Sequence, residues 1–367
     1  VSIRSGSRAA EAAPPTARNA MGGAGAAVAG APSAADAAVI DRFFGNHSRA
    51  TLRALRTNLR NLQTHVDNLA AITQCGGQCD TGGCAEGPIA YNTGIDAAST
   101  MTLCVPVFRS LHVNDRVRNL IHESAHGTSP LGGARNTGTR DVAYRHERMI
   151  FHLSPADRLR NSDSYALFAL FLREIQTTGS AAATPAGIVT PASDTMTGIT
   201  VPSERSALEL ALARLEKRLT WANDWVGQLY GQAHAVRTGG RTWAASWAED
   251  LMRMAAARFP LTPPPARPTQ VDQVRIAGIL DRYRRMKAAV KRNLTIGRMA
   301  TGVVAWPTAT TWVAGGSLQV GPGFFRARPD HQVSLLLEHL ALATRDVEPA
   351  FIPAYVSLAK WIHDQNP

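Results

Sequence analysis

Asn119-Leu120-Ile121-His122-Glu123-Ser124-Ala125-His126-Gly127 is the stretch on which the reading of this chain turns. On a helix, residues four apart lie on the same face, so His122 and His126 point the same way. Two imidazoles so placed can grip one zinc ion at about 2.0–2.1 Å. Glu123 then projects beside the ion, where it can take a proton from water whose pKa the metal has lowered to about 7. Val117, Leu120 and Ile121 supply an apolar side for burial. Asn114 is a candidate cap, the spacing predicts a helix over 115–126, and Gly127 stops it. Two surface histidines on an ordinary helix would show the same five residues, so the surroundings have to decide. Zinc hydrolases need a third protein ligand and leave a fourth position for water. Downstream, Gly138-Thr139-Arg140-Asp141-Val142-Ala143-Tyr144 offers Asp141 as that ligand. With helix predicted over 140–153, Tyr144 shares a face with Asp141 and its hydroxyl can reach the site.

Working outward, Val39, Ile40, Phe43 and Phe44 lead into Leu52, Leu55, Leu59, Leu62 and Val66 at spacings of mainly three and four, the mark of an amphipathic helix or helix pair. Gly and Cys interrupt the pattern over 74–94. Residues 100–108 read as a strand that Pro106 ends early or holds at an edge. Helix is expected again at 163–177, after a start signal at Ser154-Pro155-Ala156-Asp157. Residues 178–203 read as a linker. Residues 204–259 are strongly helical and carry Trp221, Trp225, Trp243 and Trp247. Pro260–Pro268 forms a stiff connector. Residues 270–363 are helical at both ends, with strand-like runs near 302–304 and 317–320. Residues 1–36, mostly Ala, Gly, Ser, Pro and Arg, have too little apolar surface to offset their ordering entropy and read as a flexible leader. The leader starts at Val1 and lacks a signal-peptide apolar run, which suggests a processed pro-segment or a fusion junction.

The length of 367 residues suits two domains of roughly 150 residues each. A 45% hydrophobic and 18% charged composition excludes a chain disordered throughout. No run of 18 apolar residues occurs, so no transmembrane helix is expected. The net charge of +11 is read as a solvated Arg-rich surface, and nucleic acid is disfavoured as a partner. All four cysteines lie between 75 and 104, and all seven tryptophans lie from Trp221 onward, so the halves differ in their work. His112, His146 and His152 are read as packed or solvated side chains.

His-Glu-x-x-His followed by Gly-Thr-x-Asp-x-x-Tyr resembles the aspzincin metalloendopeptidases, the family of deuterolysin and the fungal peptidyl-Lys metalloendopeptidase. Asn161-Ser162-Asp163-Ser164-Tyr165-Ala166-Leu167-Phe168 resembles that family's Asn-Ala-Asp-x-Tyr-x-x-Phe segment. Cys75, Cys79, Cys84 and the run Cys104-Val105-Pro106-Val107-Phe108 resemble its cysteine-bearing approach to the helix. The likeness covers about residues 40–175. It departs at Arg145, where the family usually has Gly, and over 129–137. The resemblance implies that His122, His126 and Asp141 hold zinc, that Glu123 is general base and then general acid, and that Tyr144 donates to the developing oxyanion. It implies protein or peptide substrates. It also places Asp163 in the pocket for the residue after the cut, where a carboxylate would favour Lys or Arg, although Asp163 is equally a natural helix cap. Four cysteines beside such a motif suggest two disulfides over a structural zinc, with the pairing open, and an exported protein.

The last segment echoes the first. Ser317–Phe325 parallels the strand ending at Phe108, and Gln332–Leu342 parallels Arg116–His126. Aligned on Val117 and Val333, His122 becomes Glu338, Glu123 becomes His339 and His126 becomes Leu342; Thr344-Arg345-Asp346-Val347 repeats Thr139-Arg140-Asp141-Val142. The expected architecture is therefore mainly α (α+β). A flexible leader spans 1–36, a helical zincin-like catalytic domain with a small β-element 37–177, and a linker 178–203. A Trp-rich, mostly helical domain spans 204–367, with 270–363 either a degenerate copy or an unrelated helical domain. The leading function is a zinc endopeptidase. The alternatives are a zinc amidase acting on cell wall as a toxin or delivered effector, and a binding or delivery module with a vestigial site. Any inhibitor or delivery partner is left unnamed by the sequence.

Overall fold

The computed structural model describes residues 13–69, 73–76, 90–92, 101–127, 139, 141–179, 184–188, 194–239, 243, 246–305, 317–343 and 349–365. The chain divides into two compact units, one of residues 1–146 and 150–190, the other of residues 147–149 and 191–367. The cut falls inside the expected linker.

The first unit opens with α1 (Ala13–Ala29), α2 (Ala34–Phe44) and α3 (Arg49–Asp67). Ser33 caps α2 by accepting from the Asp36 backbone N–H, and Gly45, at φ +82°, closes it in the left-handed region. That break turns the predicted helical run into a pair. β1 (Thr73–Gly76), β2 (Ala90–Asn92) and β3 (Met101–Cys104) form a small sheet in the order β1-β3-β2, with β1 parallel and β2 antiparallel to β3. The predicted strand over 100–108 ends at Cys104. Pro106 then sits in the first turn of α4 (Val105–Ser110), where its missing N–H costs nothing. α5 (Val113–Gly127) carries the histidines. A 3-10 turn (Arg148–Phe151) and α6 (Pro155–Leu159) lead to α7 (Ser162–Thr178). α7 is buried on every side over its first three turns, and α1 packs on α3, α5 and α7. Phe44 meets Tyr165 at 5.1 Å and Phe168 at 5.2 Å, and Phe43 meets Phe171 at 5.1 Å.

Two expectations are corrected here. Residues 13–36 are not a flexible leader. Ala13, Ala17, Ala20, Met21, Ala24 and Val28 form a stripe at helical spacing that is 0–1% exposed. Small side chains bury little area each, but they let α1 approach its neighbours closely. Composition registers the first fact and misses the second. Residues 1–12 lie outside the described residues. Nor is 140–153 a helix: 141–147 is irregular, and only the 3-10 turn follows.

The second unit runs β4 (Thr195–Thr197), α8 (Pro202–Gly239), α9 (Ser246–Ala256), α10 (Gln270–Val290), β5 (Thr295–Arg298), β6 (Val304–Ala305), β7 (Ser317–Val320), α11 (Pro322–Arg326), α12 (Pro329–Ala343), a 3-10 turn (Pro349–Phe351) and α13 (Ile352–Asp364). Its sheet has the order β4-β5-β7-β6, parallel except for β6. Trp221, Trp225, Trp247 and Trp361 pack against its core. The architecture is mainly α with small β-elements, as expected. Among the described residues no single helix is long and apolar enough to cross a membrane.

The α1 assignment is testable by thermal or denaturant unfolding. Ala24→Leu should destabilise by about 1–3 kcal/mol through overpacking. Gly22→Ala, with open space around the new Cβ, should stabilise by roughly 0.5–1 kcal/mol. A flexible leader would leave both variants at the wild-type value.

Candidate metal centre

α5 presents His122 and His126 one turn apart, and Asp141, further along the chain, lies at the same face. The three ligand atoms converge closely. His122 Nε2 lies 3.2 Å from His126 Nε2 and 3.1 Å from Asp141 Oδ1, and His126 Nε2 lies 3.3 Å from the same oxygen. Ligands bound tetrahedrally at about 2.0–2.1 Å sit about 3.3–3.4 Å apart, so the spacing fits zinc.

The other ring nitrogens are already committed. His122 Nδ1 pairs with Asp163 Oδ1 at 2.8 Å, and His126 Nδ1 with the Thr139 carbonyl at 2.9 Å. Donation from both Nδ1 positions fixes the tautomer and turns both Nε2 lone pairs inward, the usual outer support of a zinc site. Two such lone pairs and a carboxylate oxygen repel one another unless a cation lies between them. Without metal, protons fill that role. Burial opposes charge on His122, but Asp163 and Asp141 outweigh it and push the imidazole up to about 10. Burial likewise works against ionised Asp141, yet the two imidazoles hold it well below the usual carboxylate range.

Glu123 is 7% exposed, and burial raises its carboxyl above the ordinary glutamate range while the two imidazoles pull the other way. Tyr144 is half-buried. Its hydroxyl donates to Asp141 Oδ2 at 3.1 Å, the oxygen not turned to the histidines, and its ring stacks on His122 and on His146. The pairing with Asp141 was anticipated, but a turn brings it about where a helix had been expected.

Asp163 is placed otherwise than the resemblance implied. It is 0% exposed. Its Oδ1 accepts from His122 Nδ1 and from Arg118 Nη1 at 2.5 Å, and its Oδ2 accepts from the Arg145 backbone N–H at 2.7 Å. Both oxygens are engaged inside the protein, and neither faces solvent as an open pocket carboxylate would. Asp163 holds the His122 imidazole from behind. Arg145, in place of the family's Gly, reaches Asp115 at 2.9 Å, and Arg118 also pairs with Asp115.

Several supporting residues were not picked out in the sequence. Asn161 Oδ1 accepts from the backbones of Val142 and Ala143 at 3.1 and 3.0 Å and so shapes the ligand loop. Thr139 and Ser162 share a 2.5 Å hydroxyl contact beneath His126. Their signal was the quoted motif itself, whose Asn, Ser and Thr are awkward inside a helical reading. His112 is exposed, and its Nδ1 accepts from the Asn114 backbone N–H at 3.2 Å. Cys104 is disulfide-bonded and buried. The side chains of Cys75, Cys79 and Cys84 lie outside the described residues, so the expected pair of bridges is not assigned.

Helix, inward lone pairs and returning carboxylate together make a group that could hold one metal ion. Residues 29–170 match the family model of the aspzincins, described as lysine-specific metallo-endopeptidase, which supports a zinc metalloendopeptidase. A solved zinc peptidase from Grifola frondosa is similar at 18% identity, covering 46% of this chain and 94% of its own, with a TM-score of 0.35. No curated protein matches.

Two outcomes follow for metal binding. Asp163→Asn should weaken zinc binding about 10–100-fold in competition with a chelator, measured on protein whose circular dichroism is unchanged. Unchanged zinc affinity with altered cleavage preference would return Asp163 to the substrate pocket. Because His122 holds its proton up to about pH 10 in the metal-free site, zinc must displace it. Zinc affinity should therefore fall with falling pH, roughly tenfold per unit for each proton displaced, read by calorimetry in buffers of differing ionisation enthalpy.

Proposed function

We propose that the chain is a zinc-dependent endopeptidase whose first unit holds the whole catalytic set. The observation that carries this is the convergence of His122 Nε2, His126 Nε2 and Asp141 Oδ1 at 3.1–3.3 Å, with each Nδ1 already engaged. When bound, zinc supplies the Lewis acidity that makes water nucleophilic near neutral pH and polarises a carbonyl.

The chain's own groups do the rest. Glu123, adjacent to His122 and largely buried, takes the proton from the attacking water and returns it to the leaving amine nitrogen. Its raised pKa suits a group that must both accept and give up a proton. Tyr144, one hydrogen bond from the ligand carboxylate, swings its hydroxyl to the scissile oxygen as negative charge develops there. Any preference for Lys or Arg after the cut must come from carboxylates other than Asp163, whose oxygens are engaged. The Cys104 disulfide supports export to an oxidising compartment. The intact ligand set weighs against a vestigial first unit.

Glu123→Gln should keep its zinc and lose about 10²–10⁴-fold in kcat on an unfolded protein substrate. Tyr144→Phe should lower kcat by about 10²-fold with KM little changed. Full activity of zinc-loaded Glu123→Gln would refute the proposal. Cleavage of peptidoglycan fragments in place of peptides would move the chain to the amidase alternative.

A further inference from the structure

The second unit repeats the first, element by element. Each runs through three helices, a strand, a short antiparallel strand, a strand parallel to the first, a short helix with Pro in its first turn, a longer helix, a 3-10 turn and a last helix. In each, the first of these strands pairs parallel with the third, and the second pairs antiparallel with it. In each, the opening helix (α1 or α8) packs on the third helix, on the longer helix and on the last helix. One register relates β3 to β7, Pro106 to Pro322, Phe108 to Phe324, Val117 to Val333 and Ala125 to Ala341. The cores agree in detail. In the first unit Tyr165, near the start of the last helix, packs at 5.1 Å on Phe44 and accepts at 2.7 Å from Asn58 on the third helix. In the second, Tyr355 packs at 5.0 Å on Phe259 and accepts at 2.9 Å from Arg282 on the third helix.

The second unit adds β4 at the edge of its sheet, and the copies differ further in one stretch. Between the longer and the last helix the first unit has residues 128–161, which include the ligand loop and α6. The second has only residues 344–351. In the first unit α6 fills the space beside the tyrosine: Tyr165 donates to the Leu159 carbonyl at 2.8 Å, and Arg158 donates to the Arg42 carbonyl at 2.8 Å. In the second unit the place beside Tyr355 is a cavity of about 320 Å³. Phe259, Phe351 and Tyr355 give it an apolar wall, and Arg275 and Arg282 stand on it, with no carboxylate among its described lining residues.

We infer that the second unit is a metal-free copy of the first whose missing α6 leaves a binding pocket for a carboxylate on an apolar body, such as the C-terminal residue of a peptide. The aromatic wall takes the apolar body, and a guanidinium pairs with the carboxylate by charge-assisted hydrogen bonds. The two histidine positions do not survive in the copy: Glu338 and Leu342 are exposed where His122 and His126 converge.

N-acetylphenylalanine and its amide, titrated into the full chain and followed by NMR or calorimetry, separate the outcomes. The acid should bind at least about tenfold more tightly than the amide. Gly278→Leu should abolish binding by filling the cavity, because a Cβ at Gly278 meets only Arg282, at 3.9 Å. Arg275→Gln should weaken the acid selectively and keep the fold. Zinc content should be one ion per chain, and none after His126→Ala. Equal binding of acid and amide, binding that survives Gly278→Leu, or no binding at all would overturn the pocket. A second zinc ion surviving His126→Ala would overturn the metal-free copy. Each of these readouts is independent of peptidase activity.

Discussion

The first unit depends on one buried carboxylate. Asp163 sits at the first turn of α7 with no exposure and accepts three hydrogen bonds, from the His122 imidazole, the Arg118 guanidinium and the Arg145 backbone N–H. Burial alone would drive it neutral. Arg118 and His122 outweigh burial and hold it ionised, well below the usual carboxylate range. An ionised group so enclosed is strongly directional, because any displacement costs hydrogen bonds that no water replaces. It therefore sets the orientation of α5 relative to α7 and the path of the chain at Arg145 together.

The surrounding charges form a closed set. Asp115 balances Arg118 and Arg145, and those two arginines offset Asp163. The two carboxylates thus meet two guanidiniums and one imidazole, which keeps the positive character of zinc from being cancelled by surplus acid close behind its ligands. Burying so many charges adds little net stability but penalises alternative packings heavily. The gain is definition of geometry, which a metal site needs more than it needs strength.

Much of this was legible beforehand. The five-residue motif and the Gly-Thr-x-Asp-x-x-Tyr run pointed to His122, His126 and Asp141, which the structure brings together, because metal chemistry tolerates few residue types at few spacings. The helices at 115–126 and 163–177 were legible from apolar periodicity. What could not be read depended on long-range partners. Asp163 has the same identity in a substrate pocket as behind a histidine, and only Arg118 and Arg145 decide between them. Ala17, Ala20 and Ala24 looked like leader because their contribution is closeness of approach, which no composition measure weighs. The 141–147 segment looked helical because Asn161, far along the chain, takes up the Val142 and Ala143 N–H groups that a helix would have used.

The short connection over 344–351 has an evolutionary consequence. Where a copy loses ligands by substitution, single reversions can restore them. Here the span between the two helices is far shorter than in the first unit, residues 344–351 against residues 128–161, although it keeps Asp346 in the run that repeats that of Asp141. Restoring two histidines at Glu338 and Leu342 would need two replacements together, with nothing for selection to act on until both were present. The asymmetry of the tandem thus rests on two positions of one helix face, and a single reversion does not undo it.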